Sequence, residues 1–145
     1  MRVTAAAPRR RSRSDATDQP PPLRQALEDP DAVVIDVRNY NESLIGKFAP
    51  PGDKVLDPMM RRSTEFPQWV ADNKAKLANK KVLMYCTGGV RCERASAYMG
   101  SQGIQNIYQL EGGIHRYLEE CVLAPTPNPS RAIESHREPS SHRSI

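Results

Sequence analysis

The chain has 145 residues, which is one domain by length. Its net charge of +4 comes from the two ends, because residues 23–123 hold 13 Lys and Arg against 13 Asp and Glu. The ends also hold eight of the 13 prolines and almost no large apolar side chain. Such segments cannot offset the entropy lost on ordering, so we predict disordered tails at 1–22 and 124–145 around a folded domain at 23–123.

The three cysteines are an odd number, and neither a secretory signal nor an apolar run long enough to span a bilayer accompanies them. We therefore expect no disulfide framework and no membrane segment. The sequence also shows no metal-ligand cluster, dinucleotide fingerprint or Walker loop, so we expect no metal site and no cofactor. This cysteine usage fits a reducing compartment and predicts a cytoplasmic protein. Residues 1–14 are rich in Arg, contain Ser and lack acids, so a transit peptide for the mitochondrion or plastid is the alternative.

The first half of the central region alternates helical and strand patterns. Leu23–Glu28 favours a short helix, and residues 32–37 have the β-branched density of a buried parallel strand. A helical turn is expected over Asn39–Leu44. Pro50 and Pro51 then remove two donors from any strand ladder, so we predict a second strand that is short, shifted or missing.

The second half continues this alternation. The predicted elements are a helix from Thr64 to about Leu77, a strand at Lys81–Tyr85, a helix at Arg91–Gln102 stopped by Gly103, a strand at Asn106–Leu110 and a helix at Ile114–Glu120. Helices that alternate with short apolar strands predict an α/β domain of three layers. Its mainly parallel central sheet carries helices on both faces.

One stretch carries the chemistry, because a buried strand runs there directly into Cys86, two glycines and a helix start. Gly88 and Gly89 tolerate positive φ, so successive N–H groups can form an anion-binding concavity at the positive end of the helix. A helix start and a nearby cation lower the pKa of a cysteine, so we expect Cys86 to be a thiolate nucleophile beside Arg91. The residues predicted to bind the substrate are Thr87, Gly88, Gly89, Val90 and Arg91.

Two further features of the sequence concern the same edge of the sheet. Asp36 and Arg38 end the first strand, where ligand crevices of open α/β sheets lie. We favour a supporting role for this pair, which would tie the strand end to neighbouring loops. The alternative for Cys86 itself is an inert small hydrophobe, and the strand, glycines, arginine and helix that surround it argue against that interpretation.

The hexapeptide from Cys86 to Arg91, Cys-Thr-Gly-Gly-Val-Arg, resembles the six-residue active-site loop of the rhodanese superfamily. The extension Cys92–Ala95 resembles one subgroup, which contains the bacterial tRNA uridine hydroxylases and related eukaryotic rhodanese-domain proteins. Residues 34–39 resemble the first strand of the family with its Asp-x-Arg signature, and residues 109–115 resemble the closing segment of the subgroup. The likeness covers about Leu23 to Val122.

The resemblance implies a rhodanese-like fold and a sulfurtransferase without a cofactor. Cys86 would attack a small anionic sulfur donor such as thiosulfate, carry the sulfur as a persulfide and pass it to a thiol or cyanide-like acceptor. Arg91 would lower the pKa of the thiol and pair with donor oxygens. Cys92 would either resolve an oxidised Cys86 through a disulfide or pack under the loop as a small hydrophobe.

Three other functions stay open. The resembled bacterial subgroup hydroxylates the tRNA wobble uridine, but its members carry an extra α/β domain and a further segment. We expect neither in this chain, and its neutral core gives a tRNA partner no support. Phosphatases and arsenate reductases place five residues between Cys and Arg, whereas this loop has four. A non-catalytic binding module is disfavoured because Cys86 and Arg91 are both present.

Overall fold

The computed structural model describes residues 3–5, 23–123 and 133–134. The helices of this part are α1 (Leu23–Glu28), α2 (Tyr40–Ser43), α3 (Phe66–Leu77), α4 (Val90–Ser101) and α5 (Gly113–Leu123), with a 3-10 turn at Ser63–Glu65. The strands are β1 (Val3–Ala5), β2 (Ala32–Asp36), β3 (Lys47–Phe48), β4 (Val55–Leu56), β5 (Lys81–Tyr85), β6 (Ile107–Leu110) and β7 (Ile133–Glu134). None of these helices is long and apolar enough to cross a membrane.

The main sheet has the strand order β1-β6-β5-β2-β4. β5 lies at its centre and pairs in parallel with β2 on one side and with β6 on the other. β4 extends the parallel part beyond β2, and only β1 runs antiparallel, at the opposite edge. The mainly parallel sheet predicted from the sequence is confirmed.

Side chains alternate along β5 between two apolar cores. Val82 and Met84 join the core beneath α3 and α4, together with Cys86 directly after the strand. Leu83 and Tyr85 join the core under α1 and α5 on the other face of the sheet. Helices therefore cover both faces, and the predicted three-layer α/β fold is confirmed. Because of this alternation, the thiol of Cys86 lies on the α4 side of the sheet.

α4 follows from its sequence as a helix with one buried stripe. Cys92, Ala95 and Met99 recur at helical spacing and are all buried. Gly103, with φ of 84°, has the left-handed conformation predicted for the residue that ends this helix.

The segment after α2 follows the expectation from its two prolines. β3 lies outside the main sheet, and β4 takes the place beside β2 five residues after Pro50. The second strand is therefore short and shifted. Phe48 of β3 packs in the core under α1 and α5 and is 2% exposed. Its ring lies edge-on to Tyr85 and Tyr117, at 4.7 and 4.9 Å between ring centroids.

The predicted tail boundaries are wrong in two places. Val3–Ala5 forms the edge strand β1, because Val3 supplies a side chain that is 1% exposed in the core and the strand pairs with the open edge of β6. Ile133–Glu134 pairs antiparallel with β3. The remainder of the two predicted tails lies outside the described residues.

A substitution in β1 tests whether this strand docks on the sheet. Val3→Ala removes two buried methyl groups, so we expect the free energy of unfolding to fall by about 1–2 kcal/mol in urea titrations. Thr4→Ala, at a half-buried neighbour on the other face of the same strand, is the matched control and should cost less. An unchanged urea midpoint for Val3→Ala would show that β1 does not dock in solution.

Candidate active site

Cys86 lies where β5 meets the N-terminus of α4, at the carboxyl edge of the parallel sheet, and is 1% exposed. Its Sγ accepts a hydrogen bond from the backbone N–H of Gly89 at 3.0 Å. The backbone amides of Arg91 and Cys92 also help to lower the pKa of this thiol. Of the two glycines, only Gly89 has a positive φ, 102°, and this conformation turns its amide towards the sulfur.

These donors hold Cys86 as a thiolate. The hydrogen bond from the Cys92 thiol, together with the backbone amides of Cys92, Gly89 and Arg91, lowers the pKa of Cys86 to about 5 although burial opposes the change. The guanidinium of Arg91 is attracted to the thiolate. The largest effect on the pKa of Cys86 comes from the Cys92 thiol, which the sequence analysis did not name as a cause.

The side chain of Arg91 is bound to α2. Its Nη1 and Nη2 donate to the two carboxylate oxygens of Glu42 at 2.6 and 2.8 Å, and Nη2 also donates to Oγ1 of Thr87 at 2.8 Å. The hydroxyl of Thr87 donates to Glu42 at 2.6 Å. We call these three residues the Glu42 clamp. Hydrogen bonds from Arg91 in the clamp lower the pKa of Glu42 to about 2.

The role of Glu42 is not visible in the sequence, because its partners lie 45 and 49 residues further along the chain. One local signal exists, since Asn39 and Glu42 form a capping box in which the Asn39 N–H donates to the Glu42 carboxylate at 3.1 Å. This places the carboxylate at the start of α2. The fork of Arg91, predicted to bind a donor anion, is already occupied by Glu42 in this structure.

The turn into α5 holds the loop from behind. The N–H of Ile114 donates to the carbonyl oxygen of Cys86 at 2.9 Å, and the N–H of His115 donates to that of Thr87 at 3.2 Å. A Cβ at Gly113, whose φ is 67°, would collide with both carbonyl oxygens. Because the first two carbonyls of the loop bond to α5, its later amides remain available to the sulfur. Gly112 and Gly113 lie within residues 109–115, the segment whose resemblance to the subgroup is the sequence signal for this contact.

Asp36 and Arg38 form a buried network on the α1 and α5 side of the sheet. The carboxylate of Asp36, which is 0% exposed, accepts hydrogen bonds from Arg38 and from the Tyr85 hydroxyl, both at 2.7 Å. Arg38 also donates to the carbonyl of Gly46 at 2.6 Å, and the N–H of Phe48 donates to the Tyr85 hydroxyl at 3.2 Å. The network ties the C-terminal ends of β2 and β5 to residues 46–48. These contacts support the structural interpretation of this pair.

Cys92 lies in the first turn of α4 and is 0% exposed. The interaction with Cys86, followed by burial, raises the pKa of Cys92 well above its ordinary value, so this thiol keeps its proton. Cys121 is half-buried in the core on the other face of the sheet. Across the three described ranges, no group of three His, Cys, Asp or Glu side chains is arranged to hold a metal ion.

The ionisation of Cys86 predicts how its alkylation depends on pH. Because only the thiolate reacts, the rate with iodoacetamide should rise through about pH 5 and level off by neutral pH, where an ordinary cysteine is still largely protonated. The rate is measured by mass spectrometry of the peptide that contains Cys86. Cys121 in the same digest is the internal comparison. A rate that keeps rising beyond pH 8 would contradict the ionised state.

Glu42→Gln tests the clamp. The change removes a negative charge beside the loop and releases Arg91, so dianionic thiosulfate should react with Cys86 several-fold faster while neutral iodoacetamide changes little. Arg91→Lys, which keeps one charge but loses the fork, should slow thiosulfate and spare iodoacetamide. Equal changes for both reagents would mean that the clamp acts on the thiol alone.

The clamp also predicts a change of stability in acid. The folded-state pKa of Glu42 is lowered from 4.5 to about 2, so its stabilising effect is complete above pH 4.5 and is lost as the pH falls towards 2. Thermal unfolding between pH 2 and 7 should therefore show a smaller acid destabilisation in Glu42→Gln than in the wild type. Parallel curves for the two proteins would refute this.

Comparisons with known proteins agree with this geometry. The rhodanese-like domain family matches residues 19–120. A tRNA uridine(34) hydroxylase of Synechococcus elongatus is 46% identical over 109 residues, which are 75% of this chain and 38% of that protein. The rhodanese-like domain-containing protein 6 of Arabidopsis thaliana is 48% identical over 95 residues, 64% of this chain and 16% of that protein.

Among solved structures, the Alr3790 protein from Anabaena sp. superimposes with a TM-score of 0.51 over 74% of this chain and 70% of that one. The two sequences are 17% identical, so this likeness concerns the fold alone. The chain thus spans well under half the length of the two relatives named above. The match of the family over most of the sequence, together with the three-layer fold, assigns the chain to the rhodanese-like domain family.

Proposed function

We propose that this chain is the rhodanese part of a tRNA uridine(34) hydroxylase in which Cys86 is the essential nucleophile. The observation that carries the proposal is the 46% identity over 109 residues to the Synechococcus enzyme of that name. Enzymes of the same name from Rhizobium leguminosarum and Agrobacterium fabrum are 47% identical over 94 residues. This reverses the preference for a sulfurtransferase stated from the sequence.

The charges around Cys86 support the same choice. The thiolate and Glu42 carry two negative charges and Arg91 one positive charge, so the immediate surroundings are net negative. A dianionic donor such as thiosulfate would meet this charge and a guanidinium already bound to Glu42. The uracil ring that would meet Cys86 is itself neutral, so the negative charge of a tRNA would stay on its phosphates, further from the thiolate. A nucleophile that is ionised at neutral pH then reacts without a separate general base.

The test uses a bacterial strain that lacks its own tRNA uridine(34) hydroxylase. The strain expresses either this chain or a chimera in which residues 23–123 replace the matching part of the Synechococcus enzyme. We expect the chimera to restore hydroxylated uridine at position 34, measured by mass spectrometry of digested tRNA. Cys86→Ser should abolish the product, and Cys121→Ser is the matched control. A folded chimera without product, or an active Cys86→Ser chimera, would reject the proposal.

Sulfur transfer is the second candidate, favoured by one observation. The loop from Cys86 to Arg91 is tight, with only four residues between them, and the amide of Gly89 within it donates to the sulfur while those of Arg91 and Cys92 help to lower its pKa. Such donors suit a persulfide made from a small anionic donor and passed to a thiol or cyanide-like acceptor. Mass spectrometry after incubation with thiosulfate should then show one added sulfur on Cys86. Its absence, with Cys86 still alkylatable, would exclude this activity. The tRNA partner and the cellular compartment both remain proposals.

A further inference from the structure

Two buried cysteines of the loop region belong to the same apolar core, out of reach of solvent. The interaction between their thiols lowers the pKa of Cys86 and raises the pKa of Cys92. Gly89 links both residues, since its N–H bonds to the sulfur of Cys86 at 3.0 Å and its carbonyl accepts the N–H of Cys92 at 3.1 Å. With 0% exposure, Cys92 cannot meet a reagent from outside. Cys86 is therefore the one cysteine within its reach in the described structure, because Cys121 lies in the core on the opposite face.

Burial limits access to Cys86. Its residue is 1% exposed, whereas Thr87 and Gly88 above it are exposed and a Cβ at Gly88 would meet no atom within 4 Å. A molecule as small as hydrogen peroxide reaches a thiol beneath such a surface more easily than a bulky thiol reagent does. An ionised cysteine is also the form that hydroperoxides oxidise.

From this arrangement we propose that Cys86 and Cys92 are a reversible redox pair, in which a hydroperoxide oxidises Cys86 and Cys92 then closes an internal disulfide. The pair would protect the nucleophile from irreversible oxidation and switch it off while the disulfide lasts. This role is independent of whether the domain hydroxylates tRNA or carries sulfur, because it needs only the two thiols and the peroxide.

The chemistry balances in two steps. In the first, the Cys86 thiolate attacks one peroxide oxygen, an S–O bond forms as the O–O bond breaks, and hydroxide leaves, so that sulfur is oxidised by two electrons and the peroxide reduced. In the second, Cys92 gives up its proton and attacks Cys86, an S–S bond forms as the S–O bond breaks, and the departing oxygen leaves as water. The net reaction converts two thiols and hydrogen peroxide into one disulfide and two waters.

The resting state keeps Cys92 from reacting early. Its hydrogen bond to the Cys86 thiolate, burial and the negative charge of Cys86 together raise the pKa of Cys92. Oxidation to a sulfenic acid removes the charge of Cys86, and with it two of these three causes. The positive charge of Arg91, which lowers the pKa of Cys92, remains in place. Oxidation of the first thiol thus makes the second easier to ionise.

The test is peptide mapping of the whole chain after brief treatment with hydrogen peroxide, followed by alkylation and trypsin without reduction. Trypsin cuts after Lys81, Arg91 and Arg94, so the disulfide would join the peptides 82–91 and 92–94. We expect this linked pair, lighter than its two reduced peptides by two hydrogen atoms, and full return of alkylatable Cys86 after dithiothreitol. Sulfinic acid on Cys86 with Cys92 still alkylatable in the wild type would overturn the proposal.

Variants sharpen the result. Cys92→Ser should convert the reversible loss of Cys86 into an irreversible one, seen as sulfinic and sulfonic acid that dithiothreitol does not reverse. Cys121→Ser is the matched control and should keep the linked pair. Circular dichroism checks that Cys92→Ser is folded, and Cys92→Ala replaces it if it is not. Because the mapping of the wild type decides by itself, failure of both variants to fold would leave the test intact. Reversible recovery in folded Cys92→Ser would contradict a resolving role.

Discussion

A negative charge buried at the end of a β-strand is the constraint on which the site depends. Removing an ion from water is costly unless hydrogen bonds replace its hydration, and Cys86 is almost wholly enclosed. The amides of Gly89, Arg91 and Cys92 and the Cys92 thiol supply that replacement. A hydrogen bond to a charged group contributes about 1.5–3 kcal/mol, so several of them are needed to hold a thiolate in this place.

Those amides can face the sulfur only because other elements hold the loop. The turn into α5 binds the carbonyls of Cys86 and Thr87, and Gly113 allows the backbones to approach that closely. On the other face of the sheet, the hydroxyl of Tyr85, the residue before Cys86, donates a hydrogen bond to Asp36, and this bond fixes the position of Tyr85. The fold therefore acts on the nucleophile through backbone geometry as well as through the Cys92 thiol.

The elements that could be predicted from the sequence depend on local interactions. The features that were missed depend on contacts between residues far apart in the chain. α1 and β5 were predicted with the ends seen in the structure, because a buried apolar run or a short helical pattern bounded by turn residues is a local signal. β1 was missed because Val3 pairs with Leu110, more than a hundred residues away, and a three-residue strand has no periodicity of its own. The bond between Arg91 and Glu42 was missed for the same reason. In each case the partner is chosen by tertiary structure.

The Glu42 clamp changes how Arg91 should be understood. From the loop motif alone, its guanidinium is a preformed site for an anion. In the structure its fork is satisfied by a carboxylate, and the Thr87 hydroxyl completes the contact. An anionic substrate must then displace Glu42, which costs a bidentate ion pair, whereas a neutral substrate leaves it intact. The same loop sequence can thus favour different substrates according to whether its arginine is already paired, and that pairing is set by α2, outside the motif.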